Sequence, residues 1–234
     1  MDRLLVIQVA ALGYEFLKRG QGVEWKGLTF HPLEPVFPAV TCTAQASFRT
    51  AAAPAEHGVI GNGFFDRRLR RTFFWEQSSA IVEGPRIWDA FRSSGGSVGL
   101  LFWQESLGES ADVVLSPAPI HKHHGGMVQD CYSLPRDLYG TICERIGRPF
   151  DLMRYWGPFA SAVSSEWIAG ATCRLLEDRV LAPDLCLTYL PALDYDLQRH
   201  GPDDARSRKA LAVTMRHLEM LRETAEANGY DVLV

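Results

Sequence analysis

The sequence contains no long apolar segment. None of its hydrophobic runs reaches the roughly 18 residues expected of a membrane-spanning helix. The run LLVIQVAAL near the start is short, and no clear signal-peptide cleavage site accompanies it. We therefore interpret this run as a buried first strand and expect a cytoplasmic protein without a membrane partner.

Positive charge is also scarce. The chain has 24 Lys and Arg against 28 Asp and Glu, which gives a formal net charge of −4. Broad contact with a nucleic-acid duplex or a membrane surface requires concentrated Lys and Arg, so the composition argues against both. One local exception is DRRLRR, residues 66–71, which we interpret as a solvated face or a patch that faces phosphate.

Cysteine is sparse and irregularly spaced. The five cysteines form no CxxC pair and no spacing typical of a zinc knuckle. Cys143, Cys173 and Cys186 lie in apolar-periodic surroundings and are predicted to be small core residues. This pattern fits a reducing compartment. Internal repeats, low-complexity segments and convincing linkers are lacking as well, so we expect one domain.

Short apolar runs alternate with helical patterns along the chain. Residues 164–178 have Ser164 as a candidate cap, and residues 203–229 end in Asn-Gly, a favoured helix stop. Buried strands joined by helices predict a doubly wound α/β fold, in which a mostly parallel sheet has helices on both faces. The predicted strands are 4–11, 97–103, 112–116, 184–190 and 231–234.

The stretch FPAVTCTAQASFRT, residues 37–50, places small hydroxyl side chains where a helix is predicted to begin. A helix N-terminus offers unpaired N–H groups and the positive end of the helix dipole, and both suit a phosphate group. Thr41 is a candidate nucleophile there, with a divalent metal lowering its hydroxyl pKa. The alternative is that Thr41 or Thr43 only caps the helix, and composition alone favours this alternative.

The next segment, PAEHGVIGNGFF, is rich in glycine. Its three glycines and the pair Asn62-Gly63 predict turns. His57 could bind a ligand, but a histidine in such a position more often anchors a loop through hydrogen bonds. We therefore expect a structural role for His57.

The segment YLPALDYDLQRHGPDD places carboxylates just beyond a buried strand. In open α/β sheets, functional residues lie beyond the carboxyl ends of the strands. Asp194 and Asp196 are hard oxygen ligands, and His200 or Gln198 could complete one face of a metal site. The alternative is an acidic loop that leads to a helix cap at Asp203.

A histidine-rich segment, PAPIHKHHGGMVQDCYS, contains His121, His123 and His124 together with Lys122. Imidazole binds zinc, nickel and copper well, so this loop could bind a metal or clamp a phosphate group. The spacing matches no zinc site. We predict that these three histidines contact substrate, and a plain solvated loop is the alternative.

Taken together, these segments resemble the alkaline phosphatase superfamily, and within it the type I phosphodiesterase/nucleotide pyrophosphatase family. FPAVTCTAQASFRTAAAPAEHGVIGNGFF is similar to the nucleophile segment of that family, in which Pro-x-x-Thr leads into a helix. The resemblance implies that Thr41 is the nucleophile and a metal ligand, and that Asn62 lies near the bound phosphate. It also implies an alkaline-phosphatase-like fold and a small phosphorylated substrate.

YLPALDYDLQRHGPDD is similar to the family segment that carries an Asp, a His four residues later and then Gly-Pro. Here Gly-Pro sets the register and gives Asp194 the ligand position. Asp196 and His200 have the same spacing two residues later and are the further ligand candidates. The implied cofactor is a divalent metal ion, zinc in the first place and manganese as the alternative.

The sequence departs from the family pattern at ligand positions. Ala10-Ala11 stand where the family has Asp-Gly, and Gln198 stands where it has His. The remaining family ligands follow a strand like YDVLV, so we expect residues 1–234 to form one domain that lacks the C-terminal part of the family fold. Two functions stay open. One is metal-dependent hydrolysis of a phosphodiester or nucleotide pyrophosphate bond through Thr41; the other is a degenerate relative that only binds a phosphorylated ligand.

Overall fold

A computed structural model of the protein describes residues 3–118, 120, 121, 124 and 126–234. The strands in this part of the chain are β1 (Arg3–Val9), β2 (Glu24–Trp25), β3 (Leu28–Thr29), β4 (Gly63–Asp66), β5 (Arg71–Phe74), β6 (Val98–Leu101), β7 (Val113–Pro117), β8 (Ile120–His121), β9 (Met127–Val128), β10 (Cys131–Leu134), β11 (Leu185–Leu190) and β12 (Tyr230–Leu233). The α-helices are α1 (Tyr14–Gly20), α2 (Thr41–Thr50), α3 (Pro54–His57), α4 (Asp89–Ser93), α5 (Leu138–Ile146), α6 (Ala162–Leu176), α7 (Ala192–His200) and α8 (Ala205–Ala227).

Six strands form the main sheet, in the order β10-β7-β6-β11-β1-β12. β10 runs antiparallel to β7, and every other neighbouring pair is parallel. The predicted α/β fold with a mostly parallel sheet is therefore confirmed. Because parallel strands share one direction, the carboxyl ends of β1, β6 and β11 meet at the same edge of the sheet.

The strands are apolar because both faces of the sheet are covered. Successive side chains of a strand point to opposite faces. Leu5 and Ile7 of β1 belong to the larger core, which includes Ile168 of α6 and Leu218 of α8. Val6, between them, belongs to a second core around Trp88 on the other face. Each of the five strands predicted from apolar runs is present.

Two predicted helix caps are wrong by a few residues. The N-cap of α6 is Ser161, and Ser164 lies in the first turn, where its hydroxyl donates to the Ser161 carbonyl at 2.8 Å. α8 is capped by Asp204 instead of Asp203, and the Asp204 carboxylate accepts the N–H of Arg206 at 2.8 Å. Both predicted caps are residues that can accept hydrogen bonds, so composition alone does not separate them from their neighbours.

The segment after β11 is a helix and not the acidic loop considered as an alternative. α7 follows Pro191 directly and ends at Gly201, whose φ is 76°. Pro is tolerated at a helix start, and glycine favours the left-handed region where this helix stops. Leu193 of this short helix is fully buried against the core.

Within the described residues, no helix combines the length and the apolar character needed to cross a bilayer. All five cysteines are free thiols. Cys173 and Cys186 are buried in the larger core, as predicted, and Cys143 packs against that core with partial exposure.

Candidate functional site

Thr41 is the first residue of α2 and does not cap it. The N-cap is Val40, whose backbone is extended with φ −118° and ψ 159° and whose side chain makes no capping bond. The Thr41 hydroxyl instead lies 3.2 Å from the hydroxyl of Tyr189, near the end of β11. Thr43 is fully buried, and its hydroxyl has no hydrogen-bond partner among the described residues. The capping alternative for these two threonines is therefore wrong.

Asn62 supplies the missing cap from another segment. Its side-chain oxygen accepts the N–H of Cys42, the second residue of α2, at 3.0 Å. An acceptor at this position normally comes from the N-cap side chain, which is a valine here. Asn62 therefore binds the start of α2 directly beside Thr41.

His57 fixes the loop that carries Asn62. It is fully buried, and its Nδ1 accepts the N–H of Val59 at 3.2 Å. Because Nδ1 is an acceptor, Nε2 carries the proton and donates to the Ser47 hydroxyl of α2 at 2.8 Å. Burial also lowers the pKa of His57, which favours this neutral form. The predicted anchoring role of His57 is confirmed.

Buried polar contacts hold α2 over the edge of the sheet. The Gln45 side-chain oxygen accepts the N–H of Gln104 in the segment that follows β6, at 2.7 Å. Arg49 is completely buried and lies 3.0 Å from Glu105 and 3.2 Å from Glu109. Removing one partner of such a cluster costs about 3–5 kcal/mol because the other charge stays buried. The position of α2 is therefore strongly determined.

A cavity of about 330 Å³ opens beside the start of α2. Thr41, Asn62 and Asp194 all line it, so the structure brings together three residues that the sequence singled out. Much of the remaining wall is aromatic, and one cation, Arg199, lies at the cavity. The aromatic residues of the wall are Trp75, Tyr155, Trp156, Tyr189 and Tyr195.

Asp194 contributes a carboxylate to this cavity from the first turn of α7. The pKa of Asp194 lies above its ordinary value because the carboxylate is buried. A hydrogen bond from the Gln198 side chain offsets part of this increase. Gln198 lies one turn further along the helix and faces the same cavity. A second, larger depression of about 640 Å³ adjoins Thr41 and Asp194, and Ala10, Ala11 and His31 line it as well.

Asp196 and His200 do not line the Thr41 cavity. Residues two apart on an α-helix point about 200° away from each other, so Asp194 and Asp196 face different sides of α7. Asp196 lines a separate depression with Arg206 and Lys209, and its carboxylate lies 3.8 Å from Nε2 of His200. Asp196 and His200 are therefore one helical turn apart, on the side of α7 that faces away from Thr41.

The three histidines of the histidine-rich segment were predicted to contact substrate. His121 lies in β8, for which the structure describes the backbone, and His124 is an exposed turn residue. His123 lies outside the described residues. The described histidine His124 is not among the residues that line the Thr41 cavity. Substrate contact by these three histidines stays a prediction.

The donors near Thr41 do not fit the predicted metal ion. Across the part of the chain that the structure describes, no group of three His, Cys, Asp or Glu side chains could hold one ion. The cavity offers the hydroxyl of Thr41, the hydroxyls of its tyrosines, one carboxylate and side-chain amides. Catalytic zinc sites use three protein ligands, usually His with a carboxylate or Cys. Ala10 and Ala11 have no donor groups in their side chains.

Several lining residues were not predicted from the sequence. In the sequence, Tyr189 looks like part of an apolar strand. In the structure it is buried, and its hydroxyl lies 3.2 Å from that of Thr41. Trp75 lies in FWEQ, residues 74–77, and Trp156 lies in RYWGPF, residues 154–159. Their ring centroids are 6.1 Å apart. Trp75 directly follows a strand, and Trp156 directly precedes a Gly-Pro pair. These positions in loops were the available sequence signal for a functional role.

The fold and this cavity define an α/β protein whose candidate site lies at the carboxyl edge of a mostly parallel sheet. The profile of the family "Type I phosphodiesterase / nucleotide pyrophosphatase" matches residues 21–234. The chain therefore belongs to the type I phosphodiesterase/nucleotide pyrophosphatase family. A comparison with curated proteins found no match.

Solved structures of two kinds of protein share the fold. Murine ectonucleotide pyrophosphatase/phosphodiesterase 5 aligns with a TM-score of 0.64 and 16% identity, over 99% of this chain and 55% of that one. An inactive threonine-to-alanine form of the same murine protein, in complex with AMP, gives 0.62 and 14% over 99% and 55%. Phosphonoacetate hydrolase from Sinorhizobium meliloti 1021 with phosphonoformate gives 0.60 and 17% over 95% and 54%. The chain thus spans just over half the length of these proteins.

Proposed function

We propose that this protein hydrolyses a phosphodiester or nucleotide pyrophosphate bond with Thr41 as the nucleophile. The observation that carries the proposal is the position of the Thr41 hydroxyl. It lies in the first turn of α2, it is not used as a cap, and it faces a cavity of about 330 Å³. The family membership and the match to the family nucleophile segment support the same role.

Groups around Thr41 suit a bound phosphate. The start of α2 presents the positive end of the helix dipole to the cavity. The side-chain nitrogen of Asn62 is a donor whose oxygen is already fixed by Cys42. Arg199 is held by the carbonyls of Pro158 at 3.3 Å and Ala160 at 2.9 Å, and a guanidinium pairs well with phosphate oxygens.

Tyr189 assists the nucleophile in this proposal. Burial raises the pKa of Tyr189 well above its usual value, so the phenol keeps its proton and, in this proposal, donates a hydrogen bond to the Thr41 oxygen as that oxygen loses its own proton. The Thr41 oxygen bonds to phosphorus as the bond from phosphorus to the leaving oxygen breaks, and the Thr41 proton passes in net to that leaving oxygen. Water then cleaves the phosphothreonine ester and restores the hydroxyl.

The aromatic wall favours a ligand with a planar ring. Trp75 and Trp156 lie at an interplanar angle of 35°, beside Tyr155 and Tyr195 on the same cavity. Aromatic side chains stack on nucleobases with about 1–3 kcal/mol per base. The murine relative whose threonine is replaced by alanine is described as inactive and binds AMP. We therefore propose a nucleotide-like substrate.

Members of this family depend on divalent metal ions, and zinc or manganese is the sequence-based prediction for this chain. The donor set at Thr41 is too small for either ion, so no step of the proposed reaction passes through a metal. The same observation favours a second candidate function. A protein with this cavity and a degenerate ligand set would bind a phosphorylated ligand without cleaving it.

Replacing Thr41 tests the proposal. Turnover of bis(p-nitrophenyl) phosphate and of the p-nitrophenyl ester of AMP should fall by on the order of 10³-fold or more in Thr41→Ala. Thr43→Val is the matched control, because it also removes a hydroxyl from the first turn of α2. With the p-nitrophenyl ester of AMP, p-nitrophenol leaves and AMP stays bound to Thr41, so adenylyl-threonine should be found by mass spectrometry after acid quenching of the wild-type reaction.

The outcomes separate the two candidates. Activity in Thr41→Ala equal to that of Thr43→Val contradicts the assignment of the nucleophile. A wild-type protein that binds AMP but releases no p-nitrophenol under any metal condition supports the binding function instead.

A further inference from the structure

The hairpin formed by β4 and β5 projects from the domain. In the described part of the chain, these strands pair only with each other, from Gly63 opposite Phe74 to Asp66 opposite Arg71. The turn is ordered by Asp66, whose carboxylate oxygen accepts the N–H groups of Arg68 and Leu69, both at 2.8 Å. Residues 67–72 are all exposed.

The tip of the hairpin concentrates positive charge. Arg67, Arg68, Arg70 and Arg71 are exposed, and none of them lies within 4.0 Å of a carboxylate among the described residues. Asp66 is the one acidic residue of the hairpin, whereas the whole chain has a net charge of −4. The sign of the charge is therefore reversed at this tip. A charge-complementary partner has to be anionic.

The hairpin also exposes apolar side chains, from its apex to its base. Leu69 lies at the apex between the arginines and is 67% exposed, while Phe65 is 59% and Phe74 is 74% exposed. Phe65 and Phe74 project from the same face of the hairpin, because side chains alternate along each strand. The opposite face is already packed, since the rings of Phe64 and Phe73 stack with centroids 5.4 Å apart.

This combination distinguishes between two anionic partners. Single-stranded nucleic acid is bound in positively charged grooves, where aromatic rings stack on the bases. The hairpin is a projecting tip and not a groove, and its apex is a leucine, which cannot stack. Apolar apex residues flanked by arginines match a bilayer surface, where the apolar groups enter the interface and the long cationic side chains reach the headgroups.

We propose that the β4–β5 hairpin docks the protein onto an anionic lipid surface through Leu69, Phe65 and the four arginines. Polybasic segments gain about 1 kcal/mol for each Lys or Arg near such a surface, which is roughly 5-fold in affinity per residue. This contact is peripheral and needs no membrane-spanning segment. This proposal differs from the expectation that the protein has no membrane partner. That expectation rested on the net charge of the whole chain and on the lack of a long apolar segment.

The hairpin also connects the docking tip to the Thr41 cavity. Asn62 and Trp75, which flank the two strands, both line that cavity, and the Trp75 N–H donates to the Asn62 carbonyl at 2.9 Å. A strand of four residues spans about 13 Å, so a docked tip leaves the cavity close to the lipid surface but outside it. The docking proposal does not depend on the proposed hydrolysis.

Vesicle flotation tests the proposal with the purified protein. The protein should float with vesicles made of equal parts phosphatidylcholine and phosphatidylserine, and it should stay at the bottom with phosphatidylcholine alone. Changing the four arginines to Gln should weaken binding by a few hundred-fold, from about 5-fold per residue. Leu69→Ser should weaken it by about 10-fold, because the apex loses its apolar group.

A matched control lies far from the hairpin. Arg179 and Val180 are also exposed, with Val180 at 89%, in the loop between α6 and β11 at the amino ends of the strands. The variant Arg179→Gln/Val180→Ser should bind the mixed vesicles like the wild type. Circular dichroism checks that each variant is folded.

Three results would overturn the proposal. One is a wild-type protein that does not float with the mixed vesicles, and another is equal loss of binding in the control variant. The third is binding of a fluorescent single-stranded oligonucleotide that depends on the four arginines while Leu69→Ser binds vesicles normally. That last pattern would assign the tip to nucleic acid.

Discussion

At the scale of single residues, the contact between Thr41 and Tyr189 joins the start of a helix to the end of a central strand. The two hydroxyl oxygens are 3.2 Å apart, and Tyr189 is 4% exposed. Because burial raises the pKa of Tyr189, its proton stays on the phenol over the range in which proteins are folded. A neutral phenol in this position can donate to the Thr41 oxygen when that oxygen loses its own proton.

We expect Tyr189→Phe to lower kcat for p-nitrophenyl phosphodiesters by about 10-fold, since a hydrogen bond that gains strength as charge develops contributes about 1.5 kcal/mol. KM should change little, because the ring and the cavity wall stay in place. Tyr195→Phe is the control, because its hydroxyl donates to the Tyr155 carbonyl at 2.8 Å and not to Thr41. Equal losses of kcat in the two variants would contradict a specific effect on the nucleophile.

Glu105 gives the buried cluster under α2 a pH dependence. Burial raises the pKa of Glu105 from 4.5 to about 7, although Arg49 opposes this shift. Between these values the folded protein holds a proton that the unfolded chain has lost. The contribution to the free energy of unfolding is therefore full below about pH 4.5 and declines as pH rises towards about 7, by about 1.4 kcal/mol for each unit of pKa shift.

Urea unfolding measured from about pH 5 to about pH 8 checks this sign. Glu105→Gln stays neutral, so its free energy of unfolding should decline less with pH across this window than that of the wild type. The lowered pKa values of His57 and His217 raise stability with pH in the same window, but they are common to both proteins and cancel in the comparison. A wild-type curve that rises from pH 5 to pH 7 relative to the variant would contradict the raised pKa.

At the scale of elements, α2 depends on residues outside itself. Its N-cap Val40 has no capping side chain, and Asn62 takes that role through the 3.0 Å bond to the Cys42 N–H. His57 holds the Asn62 loop against Ser47 of the same helix. The loop and the helix start therefore form one unit, in which the position of Thr41 and that of Asn62 are coupled.

We expect Asn62→Ala to lower the free energy of unfolding by about 1 kcal/mol, the typical cost of losing an N-cap. Asn62→Asp keeps the acceptor and should retain most of that stability. It should still weaken AMP binding, because a carboxylate beside the start of α2 repels the phosphate. Urea titration and isothermal calorimetry measure the two effects, and an Asn62→Asp variant with unchanged AMP affinity would place the phosphate elsewhere.

The helices also show where sequence reasoning stops. The strands were predictable because burial on both faces leaves continuous apolar runs such as the one in β11. α7 was not, because it has few apolar residues and follows a proline directly. Without the helix, Asp194 and Asp196 look equivalent, and only the helical turn of about 100° per residue separates them. The sequence shows the positive charge of residues 66–71. It does not show that β4 and β5 pair only with each other among the described strands, which is why the hairpin projects.

At the scale of the whole molecule, the parallel sheet brings distant segments to one cavity. β6 and β11 end at the same edge, so Gln104 and Tyr189 line the cavity although they are far apart in sequence. The alternation of strands and helices predicted this edge. It could not predict the aromatic wall, because residues such as Trp156 reach the cavity from loops whose paths depend on tertiary packing.

The composition of this cavity leads to a prediction about metal and ligand. The described side chains near Thr41 include one carboxylate, Asp194, and donors of this number do not hold zinc tightly. Binding of phosphate at the proposed site on α2 and stacking on the aromatic wall need no metal. AMP should therefore raise the thermal unfolding midpoint, and at about 100 times its Kd the gain is about 2.7 kcal/mol.

The shift in midpoint caused by AMP should be the same before and after dialysis against EDTA, as measured by differential scanning fluorimetry and calorimetry. Adenosine is the control ligand, because it keeps the ring and lacks the phosphate, so it should give a smaller shift. Thr41→Ala should keep the AMP shift, since its backbone N–H and the helix dipole remain. A protein that carries stoichiometric zinc and loses its AMP response in EDTA would show that this donor set is supplemented by further ligands, and the metal-dependent hydrolase would then be the better description.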